Sequence, residues 1–478
     1  MAMETIREMG RKAREASRAM ATATPAAKTE FLYALARLLM DRRKEIIEVN
    51  KKDVEEAVRL GLDAPRLDRL TLTPAIVEDM HRACIQVADM PDPIGALDKQ
   101  WQRPNGMLVG KMRVPLGVIA MIYEARPNVT VDAAILCLKA GNAVILRGGR
   151  EALNSNRFLA SLLQQALREA GLPEDAAQLV QTTDHAAVTA LCKLDEYIDV
   201  MIPRGGEGLV RAVTEAATMP VLKHFKGVCH CYVDSAADLS MTLNIVYNGK
   251  VQRPGVCNAL ECVLVHKDVA EKFLPMMAEK LGGAGVEFRC CSRSLPLMGP
   301  TAKAAQDSDW GMEFHALILA VKVVDSPDDA LAHIARYNSN HTDVIVTNDL
   351  SKAMHFVRAC DSSMVGVNVS TRMNDGGQLG LGAEIGISTS KLHAYGPMGV
   401  MELTTSKFVV RLGAGTILMP AEASGNGIAV LGGTFNPLHV GHMRLAIEAH
   451  EALGGLVSRV DLLPCAHPPH KESSGILS

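Results

Sequence analysis

The first 90 residues alternate polar and apolar positions with a helical period. From Thr29 to Val49 the side chains Leu32, Leu35, Ala36, Leu39, Ile46, Ile47 and Val49 share one face of a 3.6-residue repeat. Thr73-Pro74 then gives the order of an N-cap followed by a first-turn proline. Between Trp101 and Val114 the period changes, and Pro104-Asn105-Gly106 divides two extended runs, the pattern of a β-hairpin. A protruding hairpin is either an oligomerisation arm or a plain surface element.

From Val118 onward strands and helices alternate. Strands are predicted over 118–123, 143–147, 177–181, 198–202 and 221–224, and helices over 131–140, 154–170 (closed by Gly171) and 207–217. A second series follows, with strands at 260–266, 316–324 and 344–347 and helices at 328–336 and 351–359. Such alternation predicts doubly wound parallel sheets with helices on both faces. Residues 376–399 are glycine-rich and read as loop, 418–427 read as a linker, and a new strand begins at Ile428.

Composition narrows the function classes. Lys plus Arg total 50 against 53 Asp plus Glu, a net charge of −3, which leaves no electrostatic footprint for nucleic acid or an anionic membrane. Aromatic residues are 4%, too few for base-stacking platforms. Apolar runs such as 314–324 are short or broken by Lys or His, far below the roughly 20 residues of a membrane span. The N-terminus lacks an apolar signal core, and Glu4, Glu8 and Glu15 argue against a transit peptide. Eleven cysteines without repeated spacing point to reduced thiols and a cytoplasmic enzyme or scaffold.

Neither G-x-G-x-x-G nor the phosphate-loop pattern occurs. The chemically suggestive segment is Gln252-Arg253-Pro254-Gly255-Val256-Cys257-Asn258-Ala259, which places a cysteine on a tight turn beside an arginine. Such surroundings favour thiolate, whereas the bland alternative is a buried structural cysteine. His224, Cys229, His230 and Cys231 suggest a metal site, but neighbours on a strand point to opposite faces, so no metal is expected there.

Residues 1–417 resemble the gamma-glutamyl phosphate reductase (glutamate-5-semialdehyde dehydrogenase) family of the aldehyde dehydrogenase superfamily. The resemblance rests on Val114-Pro-Leu-Gly-Val-Ile-Ala-Met-Ile-Tyr-Glu-Ala-Arg-Pro-Asn-Val129, Lys139-Ala-Gly-Asn-Ala-Val-Ile-Leu-Arg-Gly-Gly149, Ile202-Pro-Arg-Gly-Gly206, Gly227-Val-Cys-His230 and the Cys257 segment. It extends to the signature-like stretch 330–343, which departs from the usual pattern at Asn338 and Asn340. The resemblance implies an aldehyde dehydrogenase-like α/β fold with an NADP-binding domain over 1–252 and a hairpin arm near 100–114. A catalytic cysteine domain over 253–368 and a segment 369–417 completing the reductase and its oligomer contacts would follow. The implied reaction is reduction of L-glutamyl 5-phosphate to the 5-semialdehyde by NADPH, the second step of proline biosynthesis, in a homo-oligomer.

In that reading Cys257 is the nucleophile. Its backbone N–H and the side chain of Asn128 would meet the oxyanion. Hydrolytic members of the superfamily carry a water-activating Glu, and the corresponding stretch here, 223–230, holds no carboxylate. For the cofactor, Arg147, Gly148, Gly149 and Arg150 follow a strand without an acid among them, which favours the 2′-phosphate of NADP(H) over a bare ribose. Pro203, Arg204, Gly205 and Gly206 open a helix whose N–H groups suit a diphosphate. Glu313 resembles the superfamily's ribose-binding Glu.

Past the linker, Gly427-Ile-Ala-Val-Leu-Gly-Gly-Thr-Phe-Asn-Pro-Leu-His-Val-Gly-His-Met443 is strand, turn and helix with an H-x-G-H pair. Together with Leu463-Pro-Cys-Ala-His-Pro-Pro-His-Lys471 it resembles the nicotinate-nucleotide adenylyltransferase family. That likeness implies nucleotide contacts by Gly433, Thr434, His439 and His442. Residues 428–478 would be a partial Rossmann-like nucleotidyltransferase fragment, expected to be inactive in a truncated or fused chain. Two alternatives stand beside the reductase: a bifunctional enzyme that also adenylylates nicotinate mononucleotide, and a non-catalytic scaffold for glutamate 5-kinase. The kinase is also a candidate partner of the active enzyme.

Overall fold

The computed structural model describes residues 2–104, 106–411, 427–433, 440–453 and 457–464. It divides into two compact units, Met1–Ile94 with Val114–Thr405, and Gly95–Arg113 with Ser406–Ser478.

The first unit begins with α1 (Ala2–Met20), α2 (Pro25–Asp41), α3 (Arg43–Arg59), α4 (Ala64–Leu70) and α5 (Pro74–Asp89). The periodic run from Thr29 to Val49 is two helices, because Arg42 (φ −99°, ψ 13°) leaves the helical region between α2 and α3. Thr73 caps α5 as expected, its side chain accepting from the Ile76 N–H. In the second unit β1 (Leu97–Gln102) and β2 (Leu108–Pro115) form the expected antiparallel hairpin.

The chain then builds a parallel sheet from β3 (Val118–Tyr123), β4 (Ala143–Arg147), β5 (Ala177–Leu179) and β6 (Val200–Arg204), in the order β5-β4-β3-β6. Its helices are α6 (Asn128–Lys139), α7 (Leu153–Glu169), α8 (His185–Leu191) and α9 (Glu207–Ala216). All six residues of β3 are buried, as a parallel strand covered on both faces requires. The predicted strand at 221–224 is not a strand, and its pairing is one bridge, Met201 to Val221.

A second sheet has the order β10-β9-β11-β8-β7-β12-β13. Its members are β7 (Cys229–Val233), β8 (Leu260–His266), β9 (Glu287–Cys290), β10 (Lys303–Ala304), β11 (Ile318–Val324), β12 (Thr342–Val346) and β13 (Met364–Val367). Its helices are α10 (Leu239–Val251), α11 (Lys267–Gly283), α12 (Pro327–Tyr337) and α13 (Leu350–Ala359). Side chains alternate across it: Val263 and Val265 pack beneath α11, while Cys262 and Leu264 join Tyr232, Ile345 and Phe356 on the other face. The second sheet already includes β7, so it recruits chain from before the expected boundary at 252/253, which itself lies just beyond α10.

The glycine-rich stretch 376–399 is largely loop, with a short antiparallel pair, β14 (Ile387–Ser388) and β15 (Gly396–Pro397). Strand β16 (Thr404–Arg411) makes the hairpin a three-stranded sheet, β1-β2-β16. Beyond it β17 (Gly427–Gly433), α14 (Val440–Leu453) and β18 (Val457–Pro464) form a β-α-β unit with parallel strands. Gly427, expected as the end of the linker, is the first residue of β17. Among the described residues every cysteine is free, and no helix is long and apolar enough to cross a membrane.

Candidate active site

Cys257 lies on the turn between α10 and β8, closed by the Ala259 N–H donating to the Val256 carbonyl at 3.0 Å. His341 immediately precedes β12, and Gly227 lies just ahead of β7. Since β7, β8 and β12 are parallel neighbours, their amino ends bring these residues to one edge of the second sheet. A β-carbon on Gly227 would strike the Cys257 carbonyl, and the Cys229 thiol donates to that oxygen at 3.3 Å.

The sulfur of Cys257 and one ring nitrogen each of His224 and His341 lie within 4.8 Å of one another. The two rings meet edge to face, with centroids 5.6 Å apart. His224 donates Nδ1–H to the Ile387 carbonyl at 2.9 Å, which leaves Nε2 for the sulfur. His341 is buried, with Nδ1 2.7 Å from the Thr342 hydroxyl. When that hydroxyl donates, the ring proton sits on Nε2. Burial opposes a thiolate at Cys257, but the charges and hydrogen bonds of His341 and His224 outweigh it and hold the thiol well below its usual value. Burial likewise opposes charge on His224, and the sulfur overrides it, raising the imidazole. The arrangement, a sulfur beside two imidazoles that favour its thiolate, is suited to nucleophilic attack on an acyl group.

Glu313 joins this edge. Its carboxylate is 3.2 Å from His315 and accepts from the Gly227 N–H, interactions that outweigh burial and keep it ionised. Arg204, at the carboxyl end of β6, pairs with Glu384 at 3.6 Å, and its charge reaches His224. The carboxyl ends of the first sheet thus approach the amino ends of the second, with Cys257 between.

The other predicted residues of the reductase part belong to the first sheet, its turns and its helices. Asn128 opens α6 and donates one amide hydrogen to Asp132 at 2.9 Å, so part of the proposed oxyanion donor is already engaged. Arg147 donates to the carbonyls of Gly148 (3.1 Å) and Thr183 (3.4 Å), and its Nε is buried without a partner. Gly148 leaves room for the Asn156 amide, and Arg150 is exposed. Pro203 is in β6. Gly205 is pressed against the Glu124 side chain, and Gly206 donates its N–H to Glu124 at 3.1 Å. In the second unit Gly433 ends β17 and His442 lies on α14, while Thr434 and His439 fall outside the described residues.

Sequence alone does not pair His224 or His341 with Cys257: His224 reads as a candidate metal ligand, and His341 falls within the signature-like stretch 330–343 without a role. The four-residue group considered for a metal does not form, because His230 turns to the opposite side of β7, against Asp343 (2.8 Å), Cys262 and His333. His230, Cys262 and His333 also gather within 4.8 Å. There Lys322 donates to His333 Nδ1 at 3.0 Å, so Nε2 of that ring carries hydrogen toward Cys262 and cannot ligate an ion. This cluster is a hydrogen-bonded core element, and burial pushes His333 down to about 3.

The profile described as "Aldehyde dehydrogenase family" matches residues 1–308. Gamma-glutamyl phosphate reductase of Desulfovibrio desulfuricans is 66% identical over 418 residues, covering 87% of this chain and 99% of that protein. The chain belongs to the gamma-glutamyl phosphate reductase family. Within it, the crystal structure of the Thermotoga maritima reductase is similar with a TM-score of 0.83 and 43% identity, over 86% of this chain and 99% of that one. The aldehyde dehydrogenase fold extends to glyceraldehyde-3-phosphate dehydrogenase GapN of Methanocaldococcus jannaschii, solved with NADP. That protein has a TM-score of 0.60 and 16% identity, over 86% of this chain and 95% of that one. A second profile, described as "Cytidylyltransferase-like", matches residues 430–478 and accords with the nucleotidyltransferase resemblance of β17, α14 and β18.

Proposed function

We propose that the chain reduces L-glutamyl 5-phosphate to L-glutamate 5-semialdehyde and phosphate, with Cys257 as the nucleophile. The observation that carries this is the Cys257 sulfur within 4.8 Å of a ring nitrogen of both His224 and His341, in a chain two-thirds identical to a reductase of that name. The thiolate attacks the γ-carbonyl, a sulfur–carbon bond forms, and the carbon–oxygen bond to phosphate breaks. The phosphate leaves with the bonding pair and takes a proton from the imidazolium that had stabilised the thiolate. The Cys257 backbone N–H and the second amide hydrogen of Asn128 meet the developing oxyanion.

The cofactor in this reading is NADP(H), which when bound supplies the hydride that reduces the thioester. The first sheet suits it. Arg147 offers a buried, unpartnered Nε at the end of β4, and Arg150 adds an exposed cation. Open space where side chains would stand at Gly206 and Gly208 leaves the α9 N-terminus approachable by a diphosphate. Glu313 is poised at the catalytic edge for a ribose hydroxyl. Glu313 is also tied to Gly227 and His315, which restrains it from acting as a base toward water.

The test is reduction of NADP by glutamate 5-semialdehyde with and without inorganic phosphate. The reading requires a rate that vanishes when phosphate is omitted. A rate independent of phosphate would mean that water accepts the acyl group, and the chain would be a hydrolytic dehydrogenase.

A further inference from the structure

Several arginines gather around the loop that carries Cys257. Arg69 reaches from α4 to the Gly255 carbonyl at 3.5 Å, and Arg253 lies in the loop itself. Arg372 donates to Gln252 at 3.1 Å and to Asn258. Arg204 has Glu384, and Arg372 has Asp375 within electrostatic reach. Arg126, half-buried in the connection from β3 to α6, has no side-chain hydrogen bond or ion pair among the described residues. Burial, and then the charges of Arg204, Arg69 and Arg253, lower it to about 10, against a small opposing pull from the Cys257 sulfur.

Arg69 and Arg253 are exposed and Arg126 is half-buried, so like charges converge at the mouth of this loop, and an anion joining them relieves their repulsion. A guanidinium fork matches phosphate oxygens two at a time. We propose that Arg126, with Arg69 and Arg253, forms the seat of the phosphoryl group of an acyl phosphate beside Cys257. This rests on the reductase reading and deepens it. The phosphoryl group is bonded directly to the carbon that the sulfur attacks, so its seat must adjoin the nucleophile. The substrate's α-carboxylate is several bonds more distant. As the carbon–oxygen bond breaks, negative charge grows on the departing phosphate, and the cluster stabilises that state more than the bound substrate.

The experiment measures the phosphate-dependent oxidation of glutamate 5-semialdehyde for wild type, Arg126→Gln and Arg126→Lys, with folding checked by circular dichroism. For Arg126→Gln the KM for inorganic phosphate should rise at least about tenfold while the KM for the semialdehyde stays within about twofold. Arg126→Lys keeps the charge but loses the fork, and should show a smaller rise confined to phosphate. A rise confined to the semialdehyde would assign the cluster to the α-carboxylate and overturn the proposal, as would no change in either constant.

A second measurement needs no turnover, so it separates failure of this seat from failure of the reductase reading. Inorganic phosphate should slow alkylation of Cys257 by iodoacetamide in the wild type and lose that effect in Arg126→Gln. Absence of protection in the wild type would overturn the seat. Protection in a chain without reductase activity would uphold the anion seat and reject the reductase reading alone.

Discussion

Gly227 leaves no room for a side chain above Cys257, because a β-carbon there would collide with the cysteine's own carbonyl group. The loop that carries Cys257 is thus held by backbone packed on backbone, where no flexible side chain can yield. Gly227→Ala must push the loop away from His224 and His341. We expect a loss of roughly 10²-fold in turnover with the fold retained, since displacements of about an ångström carry such costs. Steady-state kinetics beside a circular dichroism spectrum checks it.

The thiolate gives a pH signature. Cys257 is an acid whose folded pKa is lowered, so it stays deprotonated as pH falls and gains its proton only below the usual thiol range. Alkylation by iodoacetamide should therefore persist as pH falls through the range in which an ordinary thiol slows. Removing the imidazole in His341→Gln should move the loss of reactivity to higher pH. An unchanged profile in that variant would remove His341 from the account.

Lys250 and Glu261 form a fully buried pair at 2.6 Å, with Glu261 raised to about 7 chiefly by burial and Lys250 lowered for the same reason. Lys250→Met would strand a carboxyl group in the core and should cost about 3–5 kcal/mol in urea unfolding. The double variant Lys250→Met/Glu261→Gln should recover most of that loss. If the single variant is neutral, the pair is not a structural unit.

Arg150 bears on cofactor choice. It is exposed three residues past β4, where in the proposed cofactor pose a cation would meet a 2′-phosphate. Arg150→Glu should raise the KM for NADP by roughly tenfold and leave that for NAD far less affected. Equal effects on both would show that the turn does not read the phosphate.

The parallel sheets were legible because β3, β4, β8 and β12 are apolar runs bounded by turn residues. Strand β7 enters the sequence reading only through the argument against a metal and not among the predicted sheet strands, although all five residues of Cys-His-Cys-Tyr-Val are buried. Cys257 could be singled out from its turn and its motif. Its partners could not, because His224 and His341 are more than a hundred residues apart and meet only when parallel pairing aligns the starts of β7, β8 and β12. Arg126 shows the same limit. It sat within a quoted motif, but its role emerges only beside Arg69 and Arg253, which the fold brings from other segments.

The central claim is a thioester on Cys257, and the direct measurement is the phosphate-dependent reduction of NADP by glutamate 5-semialdehyde for wild type and Cys257→Ala. The account predicts activity in the first and a loss of at least about 10³-fold in the second, with both proteins folded. Equal rates in the two would contradict it.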